Sequence, residues 1–255
     1  MRITGRPKTT IYAHIRNLPL SEKRLRSYRN ASGQHIRQFA VSRKGKSEKK
    51  FTPFNEWTLE TVLLVAHLTF DGSLGQRIVA YSNRSEALIN RVESLMSTIY
   101  AYLPKRSFDS HSGVLRTSYY NVSLALYLKS KSRELLAEIE NYDLELKKEF
   151  LRAFFDDEGC MDLKLKTNKR RIRGYQKDVG VLRVIKSLLA DFGIDSHLEP
   201  PNEVVISGKS NLSTFQREIN FSKGVCINGN RSNSIWKEHL EKRELLQRAI
   251  NSFKV

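Results

Sequence analysis

The chain has 255 residues, two cysteines and a net charge of +17, from 44 Lys+Arg against 27 Asp+Glu, and 40% of its residues are hydrophobic. That apolar share supports one large domain or two ordinary ones and excludes disorder throughout, while two cysteines without C-x-x-C spacing exclude a disulfide framework. The longest apolar run, Thr61 to Phe70, contains a histidine and is too short to span a bilayer, and no signal-type run follows the N-terminus, so a soluble intracellular protein is expected.

Charge is uneven along the chain. Residues 1–50 hold 14 Lys+Arg against 2 Asp+Glu, which is +12 of the +17. Such a field favours a polyanion, and nucleic acid is the commonest one inside cells; a basic solvated tail is the alternative. Within this stretch GRPKTTIYAHIRNLP reads as a short helix begun by Pro7 and stopped by Pro19, with Ile11, Ile15 and Leu18 on one face. It resembles the recognition helix of a helix-turn-helix, with Arg6, Lys8, Thr9 and Thr10 at the end that would meet DNA phosphates, although only six residues stand before Pro7 to brace it, so the motif is partial. From Leu20 to Lys50 the composition reads as a linker or DNA-following arm. Residues 1–56 are thus expected to form a basic N-terminal segment, helical in part and extended in part.

Beyond Trp57 the elements come twice. In the first half, 57–142, Leu59, Val62, Leu63, Ala66 and Phe70 recur at helical spacing, the stripe of a helix buried on one side that ends at Asp71-Gly72. An extended segment follows, Leu74 to Ser82, then a helix with Leu88, Val92, Leu95 and Ile99 on one face. More extended chain, Val114 to Asn121, leads to helical patterns in SLALYLKSKSRELLAEIE. The second half, 143–255, repeats the order: Leu146, Phe150 and Ala153 lie on the stripe of a helix closed by Glu158-Gly159. The two-stranded segment CMDLKLKTNKRRIRGYQ follows, then a helix with Leu182, Ile185, Leu189 and Phe192 inward and Gly193 as cap. A hairpin through Pro200-Pro201-Asn202 and helices at Asn211 to Ile219 and Trp236 to Ile250 complete it. The fold expected is α+β, a pseudo-twofold duplicated αββαββα, in a monomer.

The duplication concentrates on LLVAHLTFDGSLG and FLRAFFDDEGCMD. Superposed at an offset of 87 residues, they align Asp71 with Glu158, Gly72 with Gly159 and Ala66 with Ala153. Related helices packed side by side bring equivalent residues to their common axis. Each acid would then sit at the negative pole of its helix, where a carboxylate is disfavoured unless a cation answers it. A divalent cation suits such a pair. Mg²⁺ takes carboxylate oxygens, water and phosphate oxygens, so a two-metal hydrolysis of phosphodiesters is the chemistry expected, with Asp71 and Glu158 as metal ligands. Scattered histidines argue against a His-built metal site, and His67 reads as a packed, hydrogen-bonded residue. The bland alternative is two turn signals ending two core helices.

The nine-residue stretches LVAHLTFDG (Leu64 to Gly72) and LRAFFDDEG (Leu151 to Gly159) resemble the paired motifs of LAGLIDADG homing endonucleases of the single-chain, two-motif class. Thr69 replaces the first acid of the pattern and Phe70 a small residue, while Asp71 keeps the catalytic position. The resemblance implies that each half forms a saddle whose strands lie in the DNA major groove, and that the protein cuts both strands of a long DNA site with Mg²⁺, for which Mn²⁺ substitutes. It also implies a catalytic lysine after a late helix in each half, for which Lys129 and Lys223 are the choices; an ordinary surface lysine is the alternative for each. A DNA-binding regulator without catalysis and an RNA-binding splicing maturase remain as other readings of the same fold.

Alternate residues on a strand share a face. After Glu158 this sets Asp162, Lys164, Lys166 and Asn168 on a polar face and Met161, Leu163 and Leu165 on an apolar one. The polar face is expected to enter a DNA groove, joined by Arg171, Arg173 and Tyr175, with Arg77, Tyr81 and Arg116 as the first-half counterparts.

Overall fold

Helix α1, Leu59–Phe70, and helix α4, Leu144–Asp157, pack against each other at the centre of the fold. The computed structural model describes residues 21–27, 30–31, 33–34, 50–227, 236 and 238–253. The expected helix carrying Arg6 and Lys8 lies outside the described residues; residues 22–27 are helical. Residues 49–255 form one compact unit and residues 1–48 another.

Helix α1 starts where Thr58 and Thr61 cap each other's backbone, and α4 starts where the Asp143 side chain accepts from the Leu146 amide at 2.9 Å. Such a cap contributes about 1 kcal/mol, whereas each large buried apolar side chain contributes roughly 1.5–3 kcal/mol. Packing therefore holds these helices. Val62, Leu64, Val65, Ala66, Leu68 and Phe70 are all buried, so α1 is enclosed nearly all round and not, as its stripe suggests, on one side alone. Ala66 and Ala153, small residues at equivalent positions of the two helices, are both at 0% exposure.

Each helix leads into a four-stranded antiparallel sheet of the same topology. The first joins β1 (Gly72–Leu74), β2 (Val79–Asn83), β3 (Lys105–Asp109) and β4 (Val114–Tyr119) in the order β1-β2-β4-β3. The second joins β5 (Gly159–Lys164), β6 (Lys169–Tyr175), β7 (Ser196–Glu199) and β8 (Glu203–Ser207) as β5-β6-β8-β7. In the first sheet Gly72 pairs with Tyr81, and in the second Gly159 pairs with Gly174. The repeat is thus one of topology and register as well as of motif.

Helix α2 (Glu86–Tyr100) packs on the first sheet and α5 (Val179–Asp191) on the second; α3 (Val122–Glu138) lies against α1, and α6 (Lys209–Glu218) against α7 (Lys242–Asn251). Gly193 follows α5 at φ +68°, its amide and that of Ile194 reaching back to Ala190 and Leu189, so the expected cap is present. The last helix begins at Lys242 and not at Trp236. The αββαββα order calls for strand β3, but the sequence reading gives it no bounds: its residues KRSFD are all exposed, and an edge strand solvated on both faces leaves no alternation to detect. Phe51 and Phe54 also join this unit, their rings 5.4 and 5.7 Å from Tyr127.

Candidate functional site

The two helix ends match in detail. Asp71 and Glu158 are the C-terminal caps of α1 and α4, at φ/ψ of −104°/5° and −101°/−8°. A Cβ on Gly72 would stand 2.1 Å from the Leu68 carbonyl oxygen, and one on Gly159 would stand 2.2 Å from that of Phe155. Only glycine lets the chain fold back over its own last turn and pass directly into the first strand of each sheet.

Both acids are half-buried and face each other electrostatically. Burial, and then the charge of Asp157, raise the Asp71 carboxyl to about 7, although Asn83 donates to it at 2.6 Å. Burial, then the charge of Asp71, raise Glu158 to about 7 as well. Asp157 thus hinders the ionisation of both acids and Asp71 that of Glu158, and Lys242 offsets this only in part. Carboxylate oxygens are the donors that Mg²⁺ takes, so the two side chains suit such an ion as a pair, although no group of three or more His, Cys, Asp or Glu among the described residues is placed to hold one.

The pseudo-twofold is broken just behind this pair. His67 Nδ1 lies 2.9 Å from Asp157 Oδ2, the Tyr81 hydroxyl donates to Asp157 Oδ1 at 2.6 Å, and the side chains of His67 and Asp157 are fully buried. At the equivalent positions of the other half stand Phe154 for His67, Phe70 for Asp157 and Gly174 for Tyr81. There the rings of Phe70 and Phe154 meet at 5.1 Å, and Phe154 fills the space over Gly174. One side of the helix pair is closed by a charged hydrogen-bonded trio and the other by aromatic packing. His67 is packed and hydrogen-bonded, as expected.

Tyr81, expected on a DNA-facing strand surface, points instead into the helix pair at 0% exposure, because the residue paired with the motif glycine faces inward. Its hydroxyl is held well above the usual phenol range by burial and then by Asp157. The alternation on β5 holds through Lys164 and then fails, since a 3-10 turn at Leu165–Thr167 ends the strand. Lys166 and Asn168 therefore occupy the hairpin tip, Asn168 at φ 53°, and Leu165 is 56% exposed instead of buried. Lys164, Arg171 and Arg173 share the outer face as expected, but acids on that face bind both arginines. Arg171 donates to Asp162 at 3.2 Å and Glu199 at 2.7 Å; Arg173 donates to Asp162 at 3.1 Å and Glu203 at 2.5 Å. In the first half Arg116 is exposed beside Ser118, and Arg77 is exposed in the β1–β2 turn.

The two lysines proposed from the motif do not occupy equivalent places. Lys129 lies inside α3, whereas Lys223 lies in the loop after α6 and lines a cavity that neither Asp71 nor Glu158 reaches. The charge nearest the motif end comes from a lysine with no sequence signal. Lys242, at the start of α7, is buried and donates from Nζ to the carbonyls of Asp156 at 2.7 Å and Phe155 at 3.2 Å. It answers the negative pole of α4. Burial lowers its pKa, while Asp156, Asp157 and Asp71 act in the opposite sense. Asp156 is in turn held by Arg91 at 3.0 Å and by the Ser222 amide at 2.8 Å, where the first half has Thr69 bonded to Ser132. The run of three acids Asp156, Asp157 and Glu158 was visible in the sequence; which partner each would take was not.

A family model described as a LAGLIDADG-like domain matches residues 145–220. Full-length DUF199/WhiA from Thermatoga maritima is similar in structure, at a TM-score of 0.53 and 17% identity, over 80% of this chain and 63% of that one. This chain thus spans about 63% of that protein's length. Mesophilic variants of the homing endonuclease I-DmoI are similar at a TM-score of 0.50 and 16% identity, over 65% of this chain and 92% of theirs. No curated protein matches the chain. At these identities the likeness is one of fold. The chain carries a LAGLIDADG-like domain over residues 145–220 and has the LAGLIDADG fold, built as two halves that meet along α1 and α4.

Proposed function

We propose that this protein is a sequence-specific endonuclease for double-stranded DNA that uses a divalent metal, Mg²⁺ or Mn²⁺, at Asp71 and Glu158. The observation that carries the reading is the pair itself: two carboxylates from equivalent helix ends, each raised to about 7 by burial and by neighbouring carboxylates. A bound divalent ion supplies Lewis-acid stabilisation of a phosphodiester's leaving oxygen and a more acidic bound water. The chain's own residues do the remainder. Asn83 orients the Asp71 carboxylate, and Asp157, locked by Tyr81 and His67, keeps negative charge behind both acids. Gly72 and Gly159 start the strands directly at the acids, so groups bound by the sheets lie next to the pair. Arg77, Arg116, Lys164, Arg171 and Arg173 are the proposed DNA contacts, together with Lys166 at the hairpin tip.

The test is cleavage of a DNA library in Mg²⁺. Cutting that disappears in Asp71→Asn and in Glu158→Gln while DNA binding survives supports the enzyme. A second reading, DNA binding without cleavage, is favoured by Lys242, whose buried ammonium already offsets part of the acids' charge. Binding with no cutting in Mg²⁺ or Mn²⁺ selects it.

A further inference from the structure

Beside the second motif helix, away from the acid pair, lies a cavity of about 240 Å³ lined by Arg91, Arg152, Ser222, Lys223 and Arg243, with Asn220 and two apolar residues completing the wall. Four cations from four separate elements converge on it: α2, α4, the loop after α6, and α7. Two acids offset them, since Asp156 holds Arg91 at 3.0 Å and Glu149 pairs with Arg152. Lys223 and Arg243 are exposed and have no ion-pair partner among the described residues. The formal balance of the four cations against the two acids is +2. Donors are in place for an anion. Ser222 Oγ accepts from Arg91 Nη1 at 2.6 Å and so keeps its own proton to give, and the Arg152 fork is fixed by a bond from Nε to the Ile219 carbonyl at 3.1 Å. Converging guanidiniums with a free ammonium match a tetrahedral oxyanion better than a carboxylate, because they present more donors than two oxygens can accept.

We propose that this cavity is a binding site for a phosphate group, separate from the acid pair and independent of whether that pair cuts DNA. The phosphate belongs either to a free small molecule or to a nucleic-acid backbone passing the flank of α4. Lys223 serves there, in place of a role at the scissile bond. Since Arg91 is shared between the cavity and the buried Asp156, an occupant draws on the same guanidinium that steadies the end of the second motif helix.

Calorimetric titration of the full chain with inorganic phosphate, against chloride at equal ionic strength, tests this. Binding is expected in the wild type and weakened about tenfold or more in the double variant Lys223→Gln/Arg243→Gln, and retained in Lys223→Arg/Arg243→Lys. Both side chains are exposed, and equal thermal melts of the variants establish that the fold is kept. No phosphate binding, or equal binding in the Gln variant, overturns the proposal. The salt dependence of DNA binding then tells the two sources apart. A slope reduced by about 1 in the Gln variant identifies a backbone phosphate, and an unchanged slope identifies a free one.

Discussion

Asp71 and Glu158 bind protons more tightly in the folded chain than in the unfolded one, where they ionise near 3.8 and 4.5. Between those values and about 7 the folded state therefore holds the extra protons, and stability falls as pH rises through that window. Replacing both acids by Asn and Gln removes the loss: the double variant is expected to melt higher than wild type at pH 8, by roughly 2–8 °C for on the order of 1–2 kcal/mol after solvent screening, and equally at pH 4. On the proposed metal reading, Mg²⁺ is expected to raise the wild-type melt at pH 8 and not that of the variant. Thermal melts at the two pH values check both statements. Asp157 acts through its hydrogen bonds, because its oxygens satisfy two buried groups. Asp157→Ala leaves His67 and the Tyr81 hydroxyl unpaired and is expected to cost about 2–4 kcal/mol in urea unfolding, against about 1.5–3 kcal/mol for Tyr81→Phe. A cost near zero for Asp157→Ala would show that the trio is not formed in solution. Asp157 was legible as an acid beside the motif acid; its partners were not, because Tyr81 reaches it from a strand 76 residues away in sequence.

At the scale of the element, the outer face of the second sheet departs most from what alternation implies. A strand pattern shows which side chains share a face but not what lies opposite on strands paired from later in the chain. Glu199 and Glu203, on β7 and β8, turn the basic row of β6 into a lattice in which Asp162 holds two arginines. If this face meets DNA as proposed, the lattice would compete with DNA phosphates for both arginines. Asp162→Asn frees Arg171 and Arg173, so DNA binding should tighten at low salt and its salt slope should steepen by about 1 to 2. An unchanged slope in a salt titration of DNA binding would mean that this face does not meet the backbone. The hairpin tip teaches a related lesson: polar alternation through Lys166 and Asn168 predicts more strand, but a 3-10 turn and an αL asparagine end it at Lys164. Turn geometry, and not side-chain polarity, sets where the strand stops.

For the whole molecule, the contact of α1 with α4 is the seam that joins the halves and brings the acids together. Ala66 and Ala153, one on each of these helices, are both fully buried, so a larger side chain at either would have to be accommodated by the surrounding packing. Ala153→Leu should cost about 1–3 kcal/mol by overpacking and move the acids apart. The expected signature is a loss of the Mg²⁺-induced stabilisation larger than the fall in melting temperature explains. Mg²⁺ stabilisation kept at wild-type size in a destabilised Ala153→Leu would show that helix spacing does not control the pair. The sequence by itself determined the duplication, the helix ends, the glycines and the identity of the two acids, because each rests on local periodicity and on the clash a Cβ would make with its own preceding turn. Only the tertiary structure decided that Tyr81 faces inward, that Lys242 caps the second motif helix, that acids lock Arg171 and Arg173, and that Lys223 opens onto a basic cavity. Those facts depend on side chains from distant segments meeting at a packed interface, and such meetings are fixed by long-range packing and charge pairing that no local pattern encodes.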